Sequence, residues 1–374
     1  MTERILQINE GSALLGGTEQ HFQDLCTLLT EQGHQVRTFC PGDITVQPGR
    51  QEIGGALTTL LRQFRPDIVH VHGLRTKHLW ILEHIGNQGY PTVQTWHDHA
   101  AFCLNQSLYS RKRGCCERCR GGHYLSAIGC VDLLTAMSAY WRRKVLGVDP
   151  YRQLRRVIVP SRYLLDKAQE WGMPQKIRHI YNFTRNITRL PVTSRQADLI
   201  VYSGRLSRLK GLDVLLEAVQ NMDCRLMILG DGELRNKVVQ AVETSAPGKI
   251  LWQGFCTGKE YWQYLEQASV LVLPSICPEN CPLTIVDAFS IGMPAVGTSI
   301  GGSRELIGDR GERGLLVPPA DANALRKALT TMLSPGHGTR AKGEAGRRFV
   351  TDNMSWEHYY PALLDCYREA VNER

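Results

Sequence analysis

The chain has 374 residues, of which 43% are hydrophobic and 21% are charged, as in an ordinary soluble globular protein. This length predicts about two domains, and no apolar run approaches the roughly 20 residues that a membrane-spanning helix needs. Glu3 and the lack of a long apolar stretch near the N-terminus argue against a secretory signal, so we expect a cytoplasmic protein. In a reducing compartment, the 12 cysteines favour free thiols over disulfides.

The net charge of +8 is unevenly distributed along the chain. Residues 101–195 contain 18 Lys and Arg against 5 Asp and Glu, and Arg142, Arg143 and Lys144 form a cluster at the end of an amphipathic segment. Such an excess indicates an anionic partner, either an anionic membrane surface or a lipid-diphosphate acceptor. The alternative is a solvated helix face with cations near its C-terminus. Nucleic acid is disfavoured, because no nucleic-acid-binding motif accompanies the charge.

The N-terminal half alternates short apolar strands with amphipathic helices. The first strand, ILQIN, is followed by Gly16 and Gly17 and then by a helix over about 19–32. Glycines between a strand and a helix let backbone N–H groups approach a phosphate, although a simple tight turn would use them equally well. The segment lacks the G-x-G-x-x-G fingerprint, and no acid ends the second strand, so an NAD site is disfavoured.

His97 lies at the carboxyl end of a predicted strand, PTVQTWH, where ligands of α/β proteins bind. It is therefore a candidate ligand-binding residue, with a purely structural histidine as the alternative. The segment that follows is rich in cysteine and in basic residues. Its C-x2-C spacing suits tetrahedral zinc, and the alternative is an irregular loop with free thiols. The candidate zinc ligands are Cys103, Cys116, Cys119 and Cys130.

The second half begins after a polar linker near residue 190. A strand runs to Ser203 and a helix begins near Leu212, with Arg205 and Lys210 in the loop between them. Two cations at the carboxyl end of a strand suit a diphosphate leaving group, and ordinary surface basic residues are the alternative.

Residues 272–307 predict a strand, a loop, a helix over 282–290, a second strand and a glycine pair, Gly301–Gly302. The start of the helix would offer free N–H groups and a positive dipole end to a phosphate or diphosphate. Glu279 precedes this helix and Asp287 lies within it, and carboxylates accept hydrogen bonds from hydroxyl groups. A diphosphate flanked by two such acids indicates a nucleotide sugar.

Several of these segments resemble those of one enzyme family. Residues 204–211 read G-R-L-x-x-x-K-G, and Glu279 is followed after seven residues by Asp287. Both segments resemble motifs of the family 4 (GT4) retaining glycosyltransferases, whose E-x7-E motif usually ends in glutamate rather than aspartate. Gly16–Gly17 resemble the GG-x-E loop of that family, and His97 resembles the histidine with which many members hold the donor sugar.

The resemblance extends over nearly the whole chain and implies the α/β fold called GT-B, in which two Rossmann-like domains face each other across a cleft. We expect an acceptor domain over 1–188 with the cysteine-rich, basic insert at 100–130. A nucleotide-sugar domain should follow over 189–354, and a helix over 355–374 should pack back on the first domain.

The resemblance also implies the activity: transfer of a sugar, with retention, from a nucleotide-diphosphate donor to a glycan or lipid-linked acceptor. No metal is expected for catalysis, and the protein is expected in envelope polysaccharide or glycoconjugate assembly, on the inner face of the membrane. A nucleotide-sugar epimerase of the same fold and a non-catalytic carbohydrate-binding protein are the alternatives. The implied catalytic residues are Glu279, His97, Arg205 and Lys210. The implied donor-binding residues are Gly16, Gly17, Arg205, Lys210, Glu279, Asn280, Cys281, Pro282, Leu283, Thr284 and Asp287.

Overall fold

The computed structural model describes residues 2–13, 16–44, 49–110, 114–116, 130–131, 133–141, 151–170, 176–185, 187 and 195–373. The chain divides into two compact units: unit 1 is Met1–Asn182 with Tyr359–Arg374, and unit 2 is Phe183–His358. The boundary lies after Asn182, whereas the sequence predicted it after residue 188. Phe183 already belongs to unit 2, where its ring packs against Trp356 at 5.1 Å between centroids.

In the described part of unit 1, six parallel strands form one sheet in the order β2-β1-β3-β4-β7-β8, and β5 and β6 form a short antiparallel pair. The elements of this unit are β1 Arg4–Ile8, α1 Gly17–Glu31, β2 Gln35–Phe39, α2 Arg50–Phe64, β3 Ile68–Val71, α3 Trp80–Gly86, β4 Thr92–Thr95, β5 Tyr109–Ser110, β6 Gly114–Cys115, α4 Leu133–Tyr140, β7 Arg156–Val159, α5 Arg162–Glu170 and β8 Ile177–His179.

Unit 2 has a second sheet of the same kind, whose six described strands are parallel and follow the order β11-β10-β9-β12-β13-β14. Its elements are β9 Gln196–Ser203, α6 Leu212–Val219, β10 Arg225–Leu229, α7 Arg235–Thr244, β11 Ile250–Trp252, α8 Gly258–Gln267, β12 Ala268–Leu273, α9 Leu283–Ser290, β13 Ala295–Thr298, α10 Gly301–Ile307, β14 Gly314–Val317, α11 Ala322–Leu333 and α12 Thr339–Asn353.

The central strands of both sheets are continuous apolar runs because helices cover both faces of a parallel sheet. All four residues of β3 are buried, and so are five of the six residues of β12. Each unit has its own core, in which helix residues such as Leu57 in unit 1 and Leu215 in unit 2 are fully buried against the strands. Within the described ranges, no helix combines the length and the apolar character that a bilayer crossing requires.

The last helix, α13 Trp356–Asn372, packs on unit 1 over most of its length. The buried hydroxyl of Tyr367 hydrogen-bonds to His70 Nδ1 at 2.8 Å and accepts from Gln7 Nε2 at 3.4 Å. Near the surface, Arg156 of β7 pairs with Glu369 at 2.9 Å. The first and last parts of the chain therefore share one core, to which Tyr359–Arg374 contribute.

Candidate active site

A lysine–carboxylate pair lies at the carboxyl end of the second sheet. Lys210 ends a short 3-10 turn after β9, and Glu279 lies in the loop after β12. Because β9 and β12 are hydrogen-bonded neighbours, the two loops emerge side by side. Lys210 Nζ donates to both carboxylate oxygens of Glu279, at 2.7 and 2.8 Å, and the side chains are 30% and 13% exposed. The pair is thus accessible to a ligand but mostly shielded from solvent.

The backbone next to Lys210 is held tightly against the loop that carries Glu279. Gly211 has φ 72°, and a Cβ at this position would lie 1.8 Å from the carbonyl oxygen of Pro274. In the same contact, the N–H of Ile276 donates to the carbonyl of Leu209 at 2.9 Å. Only glycine satisfies both the dihedral angle and the spacing, so the loops have little freedom to separate.

Glu279 has a second polar partner besides Lys210. The hydroxyl of Ser275 donates to Glu279 Oε1 at 2.5 Å, and the carbonyl of Ser275 accepts from Thr298 at 2.8 Å. The pKa of the Tyr202 phenol beneath is raised, mainly by burial and further by the Glu279 carboxylate. The acid is therefore oriented by its own loop as well as by the lysine, which contacts both of its oxygens.

The glycine pair Gly301–Gly302 supports the Glu279 loop from the other side. The N–H of Gly302 donates to the carbonyl of Glu279 at 2.7 Å. A Cβ on Gly302 would lie 1.6 Å from the carbonyl oxygen of Asn280. This close backbone approach explains why the sequence has two glycines where α10 begins.

Helix α9 begins at Leu283, with Pro282 as its N-cap residue at φ −70°. The prediction placed Pro282 inside the helix, one residue too early, because its fixed φ fits both positions. Pro282 and Asn280 are buried, the latter 6% exposed. Cys281, Leu283 and Thr284 are half-buried around the helix start.

Asp287 is held by a tyrosine from α8. The hydroxyl of Tyr261 donates to Asp287 Oδ2 at 3.0 Å and also hydrogen-bonds to Ser203, the last residue of β9. Burial, followed by the negative charge of Asp287, raises the pKa of Tyr261, which keeps its hydroxyl protonated as a donor. The structure thus brings Asp287 to the same strand end as Lys210 and Glu279.

Arg205 lies in the loop after β9 with an exposed side chain. Its carbonyl accepts from the hydroxyl of Tyr202 at 2.7 Å, and the next residue, Leu206, is fully buried. The backbone of Arg205 is therefore fixed while its guanidinium group faces solvent at the carboxyl end of the sheet.

In unit 1, the predicted residues Gly16, Gly17 and His97 lie at one edge of the first sheet. Gly17 is the first residue of α1, and His21, one turn later, contacts the ring of His97 with 5.2 Å between centroids. His97 Nε2 hydrogen-bonds to Nδ1 of His72 at 3.1 Å. Burial lowers the pKa of His97 to about 4, so it is a neutral imidazole at pH 7.

Comparison with known proteins finds a family match for each half of the chain. Residues 15–185 match the family described as Glycosyltransferase Family 4, and residues 197–335 match the family described as Glycosyl transferases group 1. The chain belongs to the family 4 glycosyltransferases. It is 30% identical over 192 residues to the D-inositol 3-phosphate glycosyltransferase of Xylanimonas cellulosilytica, which covers 50% of this chain and 45% of that protein.

One further relative of this family 4 chain and one solved structure are informative. It is 32% identical over 221 residues to the putative colanic acid biosynthesis glycosyltransferase WcaL of Salmonella typhimurium, which covers 56% of this chain and 49% of WcaL. The matches thus span about half the length of both curated relatives. HepE of Anabaena, solved in complex with UDP-glucose, has a TM-score of 0.70 and 16% identity over 99% of this chain and 98% of HepE. This likeness shows that the chain has the GT-B fold.

The predicted zinc site in this family 4 chain falls partly outside the described residues, because Cys119 is not among them. Of the other three candidates, Cys103 is buried, and its thiol donates to Asn105 Oδ1 at 2.8 Å. Burial raises the pKa of Cys103, which favours the thiol over the metal-binding thiolate. The zinc site stays a prediction. The basic residues Arg142, Arg143 and Lys144 also lie outside the described residues.

Sequence reasoning missed two hydrogen bonds and a group of histidine contacts in the family 4 chain. The Tyr261–Asp287 bond joins residues that are 26 positions apart in different elements, and no local pattern announces it. The Ser275–Glu279 bond was also unforeseen. The histidine contacts of unit 1 had a visible signal: His70 lies on β3 and His72 directly follows it, and this spacing of two places both on one face of the sheet.

Proposed function

We propose that this family 4 chain is a retaining glycosyltransferase that moves a sugar from a nucleotide-diphosphate donor to a glycan or lipid-linked acceptor. The observation that carries the proposal is the Lys210–Glu279 pair beside the start of α9 at the carboxyl end of a parallel sheet. Nucleotides bind at this edge of doubly wound sheets. The donor proposal is further supported by HepE, a protein of the same fold that was solved with UDP-glucose.

In the proposed site, positive charge collects where the diphosphate of the donor would lie. Lys210 and Arg205 supply cations, and the first turn of α9 adds N–H groups and a positive dipole end. Because negative charge develops on the leaving diphosphate, these groups stabilise the transition state more than the ground state. Glu279, turned by Ser275, would accept hydrogen bonds from hydroxyls of the donor sugar, and Asp287 from those of the ribose.

The proposed chemical step is a front-face displacement at the anomeric carbon. The acceptor oxygen forms the new bond to that carbon while the bond to the β-phosphate oxygen breaks, and the acceptor proton passes to the departing phosphate. From unit 1, His97 and the Gly16–Gly17 turn are proposed to contact the donor sugar and the phosphates. A neutral His97 can do so as a hydrogen-bond partner without adding charge.

The experiment that tests this proposal combines binding with product analysis. Purified protein is screened by thermal shift against the common nucleoside diphosphates and their sugars, and a donor should raise Tm by mass action. The stabilising donor is then incubated with and without candidate acceptors. Transfer requires the second substrate, whereas an epimerase would change the donor alone, and a binding protein would leave it intact. No stabilisation by any nucleoside diphosphate would contradict the proposal.

Tyr261 is expected to position Asp287 for the ribose. Tyr261→Phe removes the hydroxyl that binds the carboxylate at 3.0 Å and should weaken nucleoside diphosphate binding about tenfold, as loss of one charge-assisted hydrogen bond does. The same substitution should weaken the binding of a 2′,3′-dideoxynucleoside diphosphate much less, because this ligand lacks the hydroxyls that Asp287 would bind. Calorimetric titration with both ligands measures the two losses.

Tyr264→Phe on the same helix is the matched control, since the hydroxyl of Tyr264 contacts only Glu260 of α8 in the described part of the chain, at 3.5 Å. It should leave both affinities unchanged. Equal losses for the ribose and dideoxy ligands in Tyr261→Phe would show that Asp287 does not bind the ribose.

We also propose that unit 1 rests on an anionic membrane when it meets a lipid-linked acceptor. Helix α4 exposes Leu133, Leu134 and Met137, and Trp141 follows; they are 53%, 79%, 42% and 54% exposed. At about 100° per residue these four side chains lie within an arc of about 100°. The basic cluster comes directly after them in the sequence. An apolar stripe with an aromatic residue and adjoining cations is typical of interfacial helices.

Sedimentation with lipid vesicles tests this surface. The protein should bind vesicles that contain anionic lipid much more than neutral ones, and binding should fall as salt is raised. Leu134→Ser combined with Trp141→Ser should reduce binding at least tenfold, whereas Phe255→Ser, an exposed apolar residue of unit 2, should not. Equal binding to neutral vesicles would contradict the proposal.

A further inference from the structure

Three histidine rings from different elements meet inside unit 1. His21 lies on α1, His72 directly follows β3, and His97 follows β4. Among the described residues, one nitrogen of each ring lies within 4.8 Å of the others. His21 and His72 are 2% and 1% exposed. This set of residues is called the histidine cluster below.

The arrangement of the cluster matches what a metal ion needs from imidazole ligands. His72 Nδ1 and His97 Nε2 are 3.1 Å apart. Two ligands of a tetrahedral zinc ion with Zn–N bonds of 2.0–2.1 Å are separated by about 3.3 Å. One ligand pair is thus already close to the required spacing, and the His21 ring has to approach it.

A neighbouring residue fixes the orientation of His72. The carbonyl oxygen of the Gln7 side chain lies 2.8 Å from His72 Nε2. Because that oxygen can only accept, Nε2 carries the proton, and the lone pair of Nδ1 points to His97. Metal-bound histidines usually make such a bond through their other ring nitrogen.

We propose that His21, His72 and His97 form a binding site for one Zn²⁺-like transition-metal ion, with a fourth coordination position open. The proposed transfer reaction does not require this metal site. Because His97 is also the residue proposed for the donor sugar, a bound ion and the donor would compete. The bound ion would then inhibit sugar transfer reversibly, and removal of the ion by a chelator would restore the transfer activity.

The test uses the full-length protein after treatment with a chelator. In a titration with Co²⁺ alone, the intense visible absorption of four-coordinate cobalt should appear. This signal should saturate when one Co²⁺ ion is bound per chain at the histidine cluster. Cobalt bound by the cysteine-rich insert would instead show a near-ultraviolet sulfur-to-metal band. The titration is therefore repeated with Cys116 and Cys119 changed to serine, and the visible absorption should persist.

Substitution then locates the ion. His21→Asn should weaken Co²⁺ binding more than about 100-fold, and Gln7→Met, which removes the bond to His72, about tenfold. His337→Asn, an exposed histidine of unit 2, is the control and should change nothing. The wild-type titration requires no variant to fold: absence of a one-equivalent four-coordinate spectrum would overturn the proposal. Unchanged binding in a folded His21→Asn variant would overturn it as well.

Discussion

Replacement of Lys210 by alanine is expected to lower the rate of sugar transfer by about 100- to 1,000-fold, the effect of removing one preorganised group that stabilises a developing negative charge. Lys210 Nζ holds both oxygens of Glu279 and is the cation closest to that acid in the described chain. Its loss removes positive charge from the leaving diphosphate and releases the acid that would grip the sugar. Steady-state kinetics should show a larger change in kcat than in KM.

The companion change Glu279→Gln should lower the rate of sugar transfer by a similar factor. The double variant should lose less activity than the product of the two single factors, because the residues act as one unit. Lys237→Ala is the control: Lys237 also pairs with an acid, Asp213, but on the surface of unit 2, and its loss should not affect transfer. Melting curves verify that each variant is folded. Unchanged kcat in a folded Lys210→Ala protein would remove the basis of the proposed site.

Gly302→Ala is expected to damage both stability and activity. The new methyl group would lie 1.6 Å from the carbonyl oxygen of Asn280, so the backbone of the Glu279 loop has to move. Overpacking of this kind costs about 3 kcal/mol. A displacement of about 1 Å in a substrate-positioning loop can reduce the rate about 100-fold. Urea unfolding measures the loss of stability, and the steady-state rate of sugar transfer measures the loss of activity.

Gly55→Ala supplies the matched control, because Gly55 also lies in a helix and a Cβ there meets nothing within 4 Å. Alanine at this position should stabilise unit 1 by about 0.5–1 kcal/mol, as expected for glycine replacement inside a helix. If Gly302→Ala behaved like Gly55→Ala, the close contact between α10 and the Glu279 loop would not exist in solution.

Much of the second unit was predictable from sequence because its strands and helix limits carry strong local signals. The apolar run of β12, the proline before α9 and the glycines after β13 each have a physical reason that acts within a few residues. The α/β class and the helix predicted over 282–290 are confirmed by α9 and the two parallel sheets. The GT-B fold is confirmed by the likeness to HepE.

The contacts that orient the site were not predictable in this way. Tyr261 reaches Asp287 because α8 lies beside the end of β9, and that placement depends on strand order rather than on any local pattern. Likewise, the histidine cluster combines residues 21, 72 and 97, whose meeting depends on the adjacency of β3 and β4. The functions of Glu279, Asp287 and His97 stay predictions until the variants are measured.

The division of the chain into units has a consequence for its synthesis. Unit 1 needs Tyr367 to complete the hydrogen bonds of His70 and Gln7, yet Tyr367 leaves the ribosome after all of unit 2. During synthesis, the core of unit 1 therefore stays partly exposed until the last helix has emerged. Unit 2 is a continuous segment and can fold as soon as it emerges. Chaperone dependence during translation should accordingly concentrate on the half that is made first.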